Sequence, residues 1–200
     1  MTPAKRKEQR GFTLIEVMMG LAVLTVGALG LMAMQQATIR GNMSARELSV
    51  ATQATQQWIE RIHRDALAWN VADAVAGVSG TTYLNQLPPT GGGPWFTPAT
   101  GPLGESPALD YFGREVPLAQ GRYCTHLRMT WLVPGQLARV DVRTWWHRRG
   151  DGTAVADDLL FPNCGNGNEA AVTNELEAAP APRISAVYAS TLVRWQRLPR

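Results

Sequence analysis

Cysteine and histidine, which build most metal centres and many nucleophilic active sites, are scarce in this sequence. Its 200 residues include two cysteines and three histidines, too few cysteines for a small disulfide scaffold. Gly-x-Ser-x-Gly and His-Glu-x-x-His motifs are absent, and no Gly-Lys-Ser/Thr follows the glycine triplet at 91–93. We therefore expect a protein that is not an enzyme and that carries no cofactor and no metal ion.

Net positive charge is confined to the N-terminus. The chain has 19 lysines and arginines against 16 acidic residues, a formal net charge of +3. Lys5, Arg6, Lys7 and Arg10, opposed by Glu8, account for the whole excess. The remainder is formally neutral and lacks the basic stripe of a nucleic-acid-binding domain. We therefore expect no nucleic-acid partner.

A long apolar run follows this basic segment. Residues 12–34 have the sequence FTLIEVMMGLAVLTVGALGLMAM, 23 residues with one charge, Glu16. As a helix this run spans about 34 Å, enough to cross a bilayer. Basic residues before the run, and none immediately after it, predict a cytoplasmic N-terminus.

Three interpretations of the run compete, and Glu16 discriminates among them. A secretory signal peptide, cleaved near Ala28-Leu29-Gly30, would have a shorter apolar region of roughly 7–15 residues and no charge near its start. A plain membrane anchor leaves Glu16 unexplained, because a carboxylate at membrane depth costs roughly 2.5–3.5 kcal/mol. The third interpretation gives Glu16 a function.

Residues Gly11 to Glu16, with the sequence GFTLIE, resemble the class III signal of type IV prepilins. The family pattern is a short basic leader ending in Gly, then Phe and Thr-Leu-Ile/Leu-Glu at the start of a long apolar helix. The resemblance implies cleavage by prepilin peptidase between Gly11 and Phe12 and N-methylation of Phe12. It also implies that Glu16 takes part in subunit assembly.

Electrostatics supports a pairing of Glu16 with Phe12. A carboxylate in an apolar environment requires a cationic partner, and the α-amino group that cleavage exposes on Phe12 stays cationic after methylation. In a staggered filament, Glu16 of an incoming subunit can pair with the Phe12 amine of its neighbour, which fixes the axial register. The alternative is a carboxylate at the headgroup boundary that has no function.

The helix continues beyond the apolar run. No proline occurs from Ala4 to Leu87, and after Met34 apolar residues recur every three to four positions, which predicts a helix with one apolar face. We predict a single helix over about 13–69, roughly 85 Å long. Its expected apolar positions are Leu48, Ala51, Thr55, Trp58 or Ile59, Ile62, Ala66 and Trp69, and its expected polar positions are Gln53, Gln56, Gln57, Glu60, Arg61 and Arg64.

Two further tracts resemble the PilV-type minor pilins. Residues 26–31, VGALGL, precede Gln35 as a similar tract does in that group, and Glu60–Arg64, with an inserted His63, resembles its Glu-Arg-x-Arg element. The resemblance implies a minor pilin of a type IV pilus, incorporated into the fibre or priming its assembly. The implied partners are prepilin peptidase, other major and minor pilins and the inner-membrane assembly platform.

The implied location is the inner membrane, crossed once with the C-terminal domain in the periplasm, and then the pilus fibre at the cell surface. Two alternatives share the same N-terminus. One is a minor pseudopilin of a type II secretion system. The other is a pilus-borne adhesin whose Gly/Pro-rich loop forms the binding face.

That loop is predicted from composition. Residues 77–121 contain 16 glycines and prolines, a density that excludes regular helix. We predict a loop over 70–121, the αβ-loop of the resemblance, that contains short strands, for example Thr81–Leu84.

Alternating polarity predicts an antiparallel hairpin of Tyr123–Trp131 and Leu137–Trp146 around a type II turn at Pro134-Gly135. A last strand is predicted at Ile184–Gln196. Within the second strand, one face is expected to carry Val140, Val142 and Thr144 and the other Arg139, Asp141 and Arg143.

These elements predict an α+β protein with a long N-terminal helix packed on a small antiparallel β-sheet. In the prepilin resemblance this is the type IV pilin fold, an α/β roll. The expected division is a cleaved leader (1–11), a transmembrane and assembly half of the helix (12–34), an amphipathic half (35–69), the αβ-loop (70–121) and an antiparallel β domain with a disulfide-bounded region (122–200).

Cys124 and Cys164 allow two interpretations. Outside the cytoplasm, a disulfide between these residues, 40 positions apart, stabilises by about 4 kcal/mol in the chain-entropy model. The alternative is a metal site of Cys124, His126 and His147, with the first two on one face of a strand. The prepilin resemblance implies the disulfide.

Three further expectations concern side chains without a chemical role. Arg148-Arg149 is predicted to be a solvated hairpin end, and His63 a solvated or capping side chain on the helix. Core or sheet-face positions are expected for Trp131, Trp145, Trp146 and Trp195.

Overall fold

The computed structural model describes residues 13–70, 77–147, 164–165, 167–177 and 184–195. The chain divides into two compact units, Met1–Arg46 and Glu47–Arg200. The predicted hairpin end at Arg148-Arg149 lies outside the described residues.

Helix α1 runs from Leu14 to Trp69, which confirms the predicted long helix. Thr13 caps its start, because the Thr13 Oγ1 accepts a hydrogen bond from the Glu16 N–H at 3.3 Å. At the other end, the Asn70 side-chain amide donates to the Ala66 carbonyl at 3.0 Å. This bond satisfies one of the carbonyls that a helix end leaves without an intrahelical partner.

Burial along α1 changes at Glu47. Before it, every described helix residue is exposed except Met43, which is half-buried. From Glu47 onward one stripe is buried, consisting of Glu47, Ala51, Ala54, Thr55, Trp58, Arg61, Ile62, Ala66 and Trp69. The predicted apolar position Leu48 is wrong, since its side chain is 52% exposed. Glu47 takes the buried place instead, where its carboxylate accepts a hydrogen bond from Trp146 Nε1 at 3.3 Å.

Arg61 is a second departure from the predicted pattern. It was expected among the polar, outward positions, yet it is 8% exposed. Its guanidinium forms ion pairs with Glu115 and Glu105 and lies 4.8 Å from the centroid of the Trp58 ring. Both carboxylates come from the Gly/Pro-rich loop, so the helix pattern alone contains no sign of them.

Four antiparallel strands form one sheet in the order β1-β2-β3-β4. They are β1 (Ala108–Leu109), β2 (Tyr123–Val133), β3 (Leu137–His147) and β4 (Ile184–Arg194). The predicted hairpin and last strand are therefore confirmed, although Gln196 lies outside the described residues. At the turn between β2 and β3, Gly135 has a φ of 71°, as position i+2 of the predicted type II turn requires.

One face of the sheet packs on α1. Val140 and Val142 of β3 join Trp58 and Ile62 of α1 in the largest core cluster. The Thr144 hydroxyl accepts a hydrogen bond from the buried Thr55 hydroxyl at 2.8 Å, which ties the helix to the same face. The α+β arrangement is that of the predicted helix-on-sheet fold, and the expected alternation along β3 is confirmed.

A second, short helix lies against the opposite face. Helix α2 spans Glu169–Glu177, and its Val172 packs with Trp145 and Ile184 in a second core cluster. This helix was not predicted. Asn168 before an acidic first turn, followed by apolar residues at helical spacing, is a start signal that the sequence contains.

The Gly/Pro-rich loop forms turns where a strand was predicted. Residues Leu84–Gln86 form a 3₁₀ helix, so the strand expected at Thr81–Leu84 is wrong. The cause is Asp65 of α1, whose carboxylate accepts three backbone hydrogen bonds of 2.6–2.9 Å. The donors are the N–H groups of Thr82, Tyr83 and Leu84. Three successive N–H groups aimed at one acceptor are incompatible with a strand, in which they alternate in direction.

The same loop also runs along the free edge of β2. Phe96 and Leu127 exchange backbone hydrogen bonds of 2.8 and 2.9 Å, and Gly93 donates to the Met129 carbonyl at 2.9 Å. The loop thus covers an edge that would otherwise expose unpaired backbone groups. It also brings Trp95 beside the sheet.

The tryptophans divide between core and surface. Trp145 and Trp146 are buried and Trp131 is half-buried, as expected. Trp195 directly follows β4 and is 42% exposed, so of the two expected positions, core or sheet face, the core is excluded for it. His63 is exposed, as predicted, and its Nε2 lies 2.8 Å from the Thr191 hydroxyl.

Candidate functional site

Glu16 lies in the first turn of α1. Its backbone N–H is shared between the Thr13 hydroxyl at 3.3 Å and the Thr13 carbonyl at 3.1 Å. Thr-x-x-Glu is the capping-box pattern, a local signal in the sequence for a helix that starts here. An acidic residue in this turn also interacts favourably with the positive end of the helix dipole.

Gly11 and Phe12 lie outside the described residues. The cleavage bond, the N-methylation position and the Glu16–Phe12 pairing therefore stay predictions. Within the described part of the chain, Glu16 has no ion-pair partner.

The apolar half of α1 presents its side chains outward. Leu14 is 81% exposed, Val23 75% and Val26 72%. An 18-residue window of this helix has a mean hydropathy of 2.2 and no buried residue, and among the described residues it is the one helix long and apolar enough to cross a membrane. A continuous apolar surface of this kind marks a membrane or protein interface.

Polar groups inside this half are satisfied by the helix itself. The Thr25 hydroxyl donates to the Ala22 carbonyl at 2.8 Å, and the Thr38 hydroxyl donates to the Met34 carbonyl at 2.9 Å. Such bonds remove most of the cost of placing a hydroxyl in an apolar environment. Between Phe12 and Arg40, Glu16 is the one side chain that introduces a charge.

Cys124 and Cys164 form a disulfide, with their Cα atoms 5.2 Å apart. Both are buried in the second core cluster, beside Trp145 and Val172. Gly121 permits this approach, because a Cβ on that residue would collide with Cys164 Sγ. The bond connects β2 to the segment that leads into α2.

The disulfide also removes Cys124 from the alternative metal site, so that hypothesis is wrong. His126 is completely buried, with Arg143 Nη2 3.0 Å from its Nδ1 and Trp145 Nε1 3.2 Å from its Nε2. Burial, together with the Arg143 charge, lowers the pKa of His126 to about 3. In the described part of the chain, no group of three metal-ligating side chains occurs.

Comparison with known proteins identifies the N-terminal segment. Residues 6–32 match a family model described as the prokaryotic N-terminal methylation motif. The match includes Gly11, Phe12 and Glu16 and extends into the exposed half of α1. No curated protein and no solved structure matches the chain significantly.

Proposed function

We propose that this type IV prepilin-like protein is a minor pilin of a type IV pilus. The observation that carries the proposal is the methylation motif at residues 6–32, which extends into the apolar half of α1, where an 18-residue window has no buried residue. The helix-and-sheet fold is consistent with a type IV pilin. The finer resemblance to PilV-type proteins stays a prediction, and in this proposal the protein is structural and not an enzyme.

The proposed life cycle begins in the inner membrane. The basic leader, residues 1–11, stays in the cytoplasm, residues 12–34 cross the bilayer and the C-terminal domain lies in the periplasm. Prepilin peptidase cuts between Gly11 and Phe12, and Phe12 is methylated. The Cys124–Cys164 disulfide fits an oxidising compartment outside the cytoplasm.

In the assembly step, the exposed half of α1 leaves lipid and packs against other pilins on the assembly platform. Apolar contact alone gives little axial specificity, because lipid tails and neighbouring helices are similarly apolar. Removing a carboxylate or an amine from water costs a large desolvation free energy, which only the attraction between the two paired charges offsets. The Glu16–Phe12 pair between subunits therefore selects one register for the incoming minor pilin.

Two substitutions of Glu16 test this step. Glu16→Ala and Glu16→Gln should both be cleaved after Gly11. Both should be strongly depleted from sheared fibres, because both lose the negative charge. Glu16→Gln isolates the charge, since Gln keeps the size of the side chain. Glu60→Ala is the matched control, since Glu60 is an exposed glutamate later in the same helix and should enter fibres normally. Mass spectrometry of sheared fibres measures both the amount and the methylated Phe12 start. Normal incorporation of Glu16→Ala would contradict the electrostatic docking.

The same N-terminal features suit a minor pseudopilin of a type II secretion system. Deletion of the gene separates the two functions. A minor pilin predicts loss of piliation with normal enzyme secretion, and a pseudopilin predicts the reverse.

A further inference from the structure

A cleft of about 310 Å³ lies on the sheet face opposite α1. Strands β3 and β4, the Gly/Pro-rich loop and α2 all contribute to its walls. Its size is at the lower end of small-molecule sites. The lining side chains that matter here are Trp95, Arg128, Arg139, Asp141, Arg143 and Tyr188.

Strand register builds the floor of this cleft. Arg128 of β2, Asp141 of β3 and Ser190 of β4 form one cross-strand row. The next row on the same face pairs Arg143 of β3 with Tyr188 of β4. Because side chains two positions apart share a face, the two rows project into the cleft together.

Both carboxylate oxygens of Asp141 accept hydrogen bonds from neighbouring side chains. Its Oδ2 accepts hydrogen bonds from Arg128 Nη2 at 3.0 Å and Arg139 Nη2 at 2.8 Å, and its Oδ1 accepts one from Ser190 at 2.6 Å. One carboxylate therefore forms ion pairs with two guanidinium groups. Arg128 and Arg139 keep 39% and 44% of their side chains exposed, and each guanidinium has more N–H donors than its bonds to Asp141 use.

Arg143 adds a third, buried positive charge. It is 1% exposed, and its guanidinium donates to the Thr173 hydroxyl and the Glu169 carbonyl, both at 2.7 Å. Within the described residues, no carboxylate oxygen lies within 4.0 Å of it. Its hydrogen-bond acceptors, which also include His126 Nδ1, carry no charge, and the more distant Glu169 carboxylate offsets its positive charge only in part.

Two aromatic rings stand beside these charges. The Arg143 and Arg128 guanidinium carbons lie 4.4 and 4.7 Å from the Trp95 ring centroid. Tyr188 meets Trp95 edge-to-face at 6.1 Å and is 56% exposed. The cleft thus combines flat apolar surfaces with donors suited to an oxyanion.

We propose that this cleft binds a carboxylated sugar, a uronic-acid unit of an acidic polysaccharide. Three arginines against Asp141 and Glu177 leave one net positive charge in the lining, which matches one carboxylate and not a polyphosphate. The sugar ring lies against the exposed Tyr188 ring, and its carboxylate accepts hydrogen bonds from Arg128 and Arg139. This inference goes beyond fibre assembly and specifies a ligand class for the adhesin alternative, with one wall of the site supplied by the Gly/Pro-rich loop.

The first test is direct titration of the full-length chain in detergent micelles. Isothermal titration calorimetry with D-glucuronate should show saturable binding at one site. D-Glucose, which lacks the carboxylate, should show none, and inorganic phosphate, which lacks the ring, should bind at least about tenfold more weakly. Absence of saturable glucuronate binding overturns the proposal. Equal binding of phosphate also overturns it, because the site would then be a general oxyanion site.

Matched arginine variants locate the binding. Arg128→Ala should weaken glucuronate binding roughly tenfold or more, and Arg128→Lys should weaken it less, because the charge stays while the paired donors are lost. Arg114→Ala is the control, since Arg114 also pairs with an aspartate at 2.9 Å and lies 5.1 Å from an aromatic ring, but outside the cleft. Equal losses in Arg128→Ala and Arg114→Ala would place the binding elsewhere.

Folding and assembly are controlled separately. The urea unfolding midpoint of each arginine variant shows whether the sheet is intact, and Arg128→Lys keeps the test valid if Arg128→Ala unfolds. Glu16→Ala should bind glucuronate as the unsubstituted protein does, because the cleft lies entirely within the Glu47–Arg200 unit. Failure of the docking step and failure of sugar binding are therefore distinguishable.

Discussion

The two compact units differ in how far their side chains are buried. In the first, from Leu14 to Arg46, the described side chains are exposed apart from half-buried Met43. In the second, from Glu47 onward, three clusters of buried residues pack helix, sheet and loop together. The first unit is the more apolar of the two, yet none of its described side chains is fully buried.

This difference indicates which surroundings the apolar side chains of each unit are suited to. We expect the apolar side chains that the described part of the chain leaves exposed to be covered by lipid or by other proteins, since their exposure to water is costly. The core side chains of the second unit, such as Trp58 and Ile62, are covered by loops and strands of the same chain. Substitutions in the first unit should therefore alter insertion and assembly, and those in the second should alter the free energy of unfolding.

The largest expected effect on unfolding is removal of the disulfide. The double substitution Cys124→Ser and Cys164→Ser opens a link between residues 40 positions apart and should lower the free energy of unfolding by about 4 kcal/mol. Urea unfolding followed by tryptophan fluorescence measures it, because all seven tryptophans lie at or after Trp58. The reduced, unsubstituted protein is the control. A loss below about 1 kcal/mol would show that the bond adds little to the packing around it.

A pair of helix substitutions gives the next largest effect. Ile62 is completely buried in the helix–sheet core, so Ile62→Ala should cost roughly 2–5 kcal/mol. Leu48, on the same helix and 52% exposed, should cost less than about 0.5 kcal/mol when changed to Ala. Equal costs at the two sites would contradict the burial pattern that begins at Glu47. The same urea titration measures both variants.

Features with a local cause were predictable from the sequence. The absence of proline and the apolar periodicity predicted α1, and alternation with a Pro-Gly turn predicted the β2–β3 hairpin. The motif GFTLIE predicted the resemblance that the family model at residues 6–32 supports. In each case the signal and the structure that it causes lie within the same few turns or strands.

Features that depend on distant partners were not predictable in the same way. The turn at residues 82–84 forms because Asp65, on α1, accepts their N–H groups. Arg61 is buried because Glu115 and Glu105 reach it from the loop.

The cleft depends on the register of three strands, which places Arg128, Asp141 and Ser190 in one row. Helix α2 is a different case, since its start signal is local.

The second unit should also respond to pH through His126. Burial, helped by Arg143, lowers its folded pKa to about 3, below the ordinary value near 6.5. Between these values the unfolded chain binds a proton that the folded chain does not, so stability falls as pH falls, by at most about 1.4 kcal/mol per pH unit.

Urea midpoints measured between about pH 4.5 and pH 7 test this slope. His126→Gln should flatten it, because the side chain no longer titrates. The matched control is His63→Gln, since His63 is exposed and its substitution should leave the slope unchanged. A slope that persists in His126→Gln would assign the titration to another group.

The smallest effect on unfolding is expected in the first unit. A substitution there tests whether its side chains are covered by their own chain or by other molecules. Val23 is 75% exposed, so Val23→Ala should change the urea midpoint by less than the equivalent of about 0.5 kcal/mol. The same loss of methyl groups from a buried core position would lower the free energy of unfolding by more. In fibres the side chain is expected to contact a neighbouring helix, so the variant should be depleted from sheared pili relative to its level in the membrane. A lower urea midpoint with normal incorporation would mean that the apolar half of α1 is covered by its own chain, and the contrast between the two units would fail.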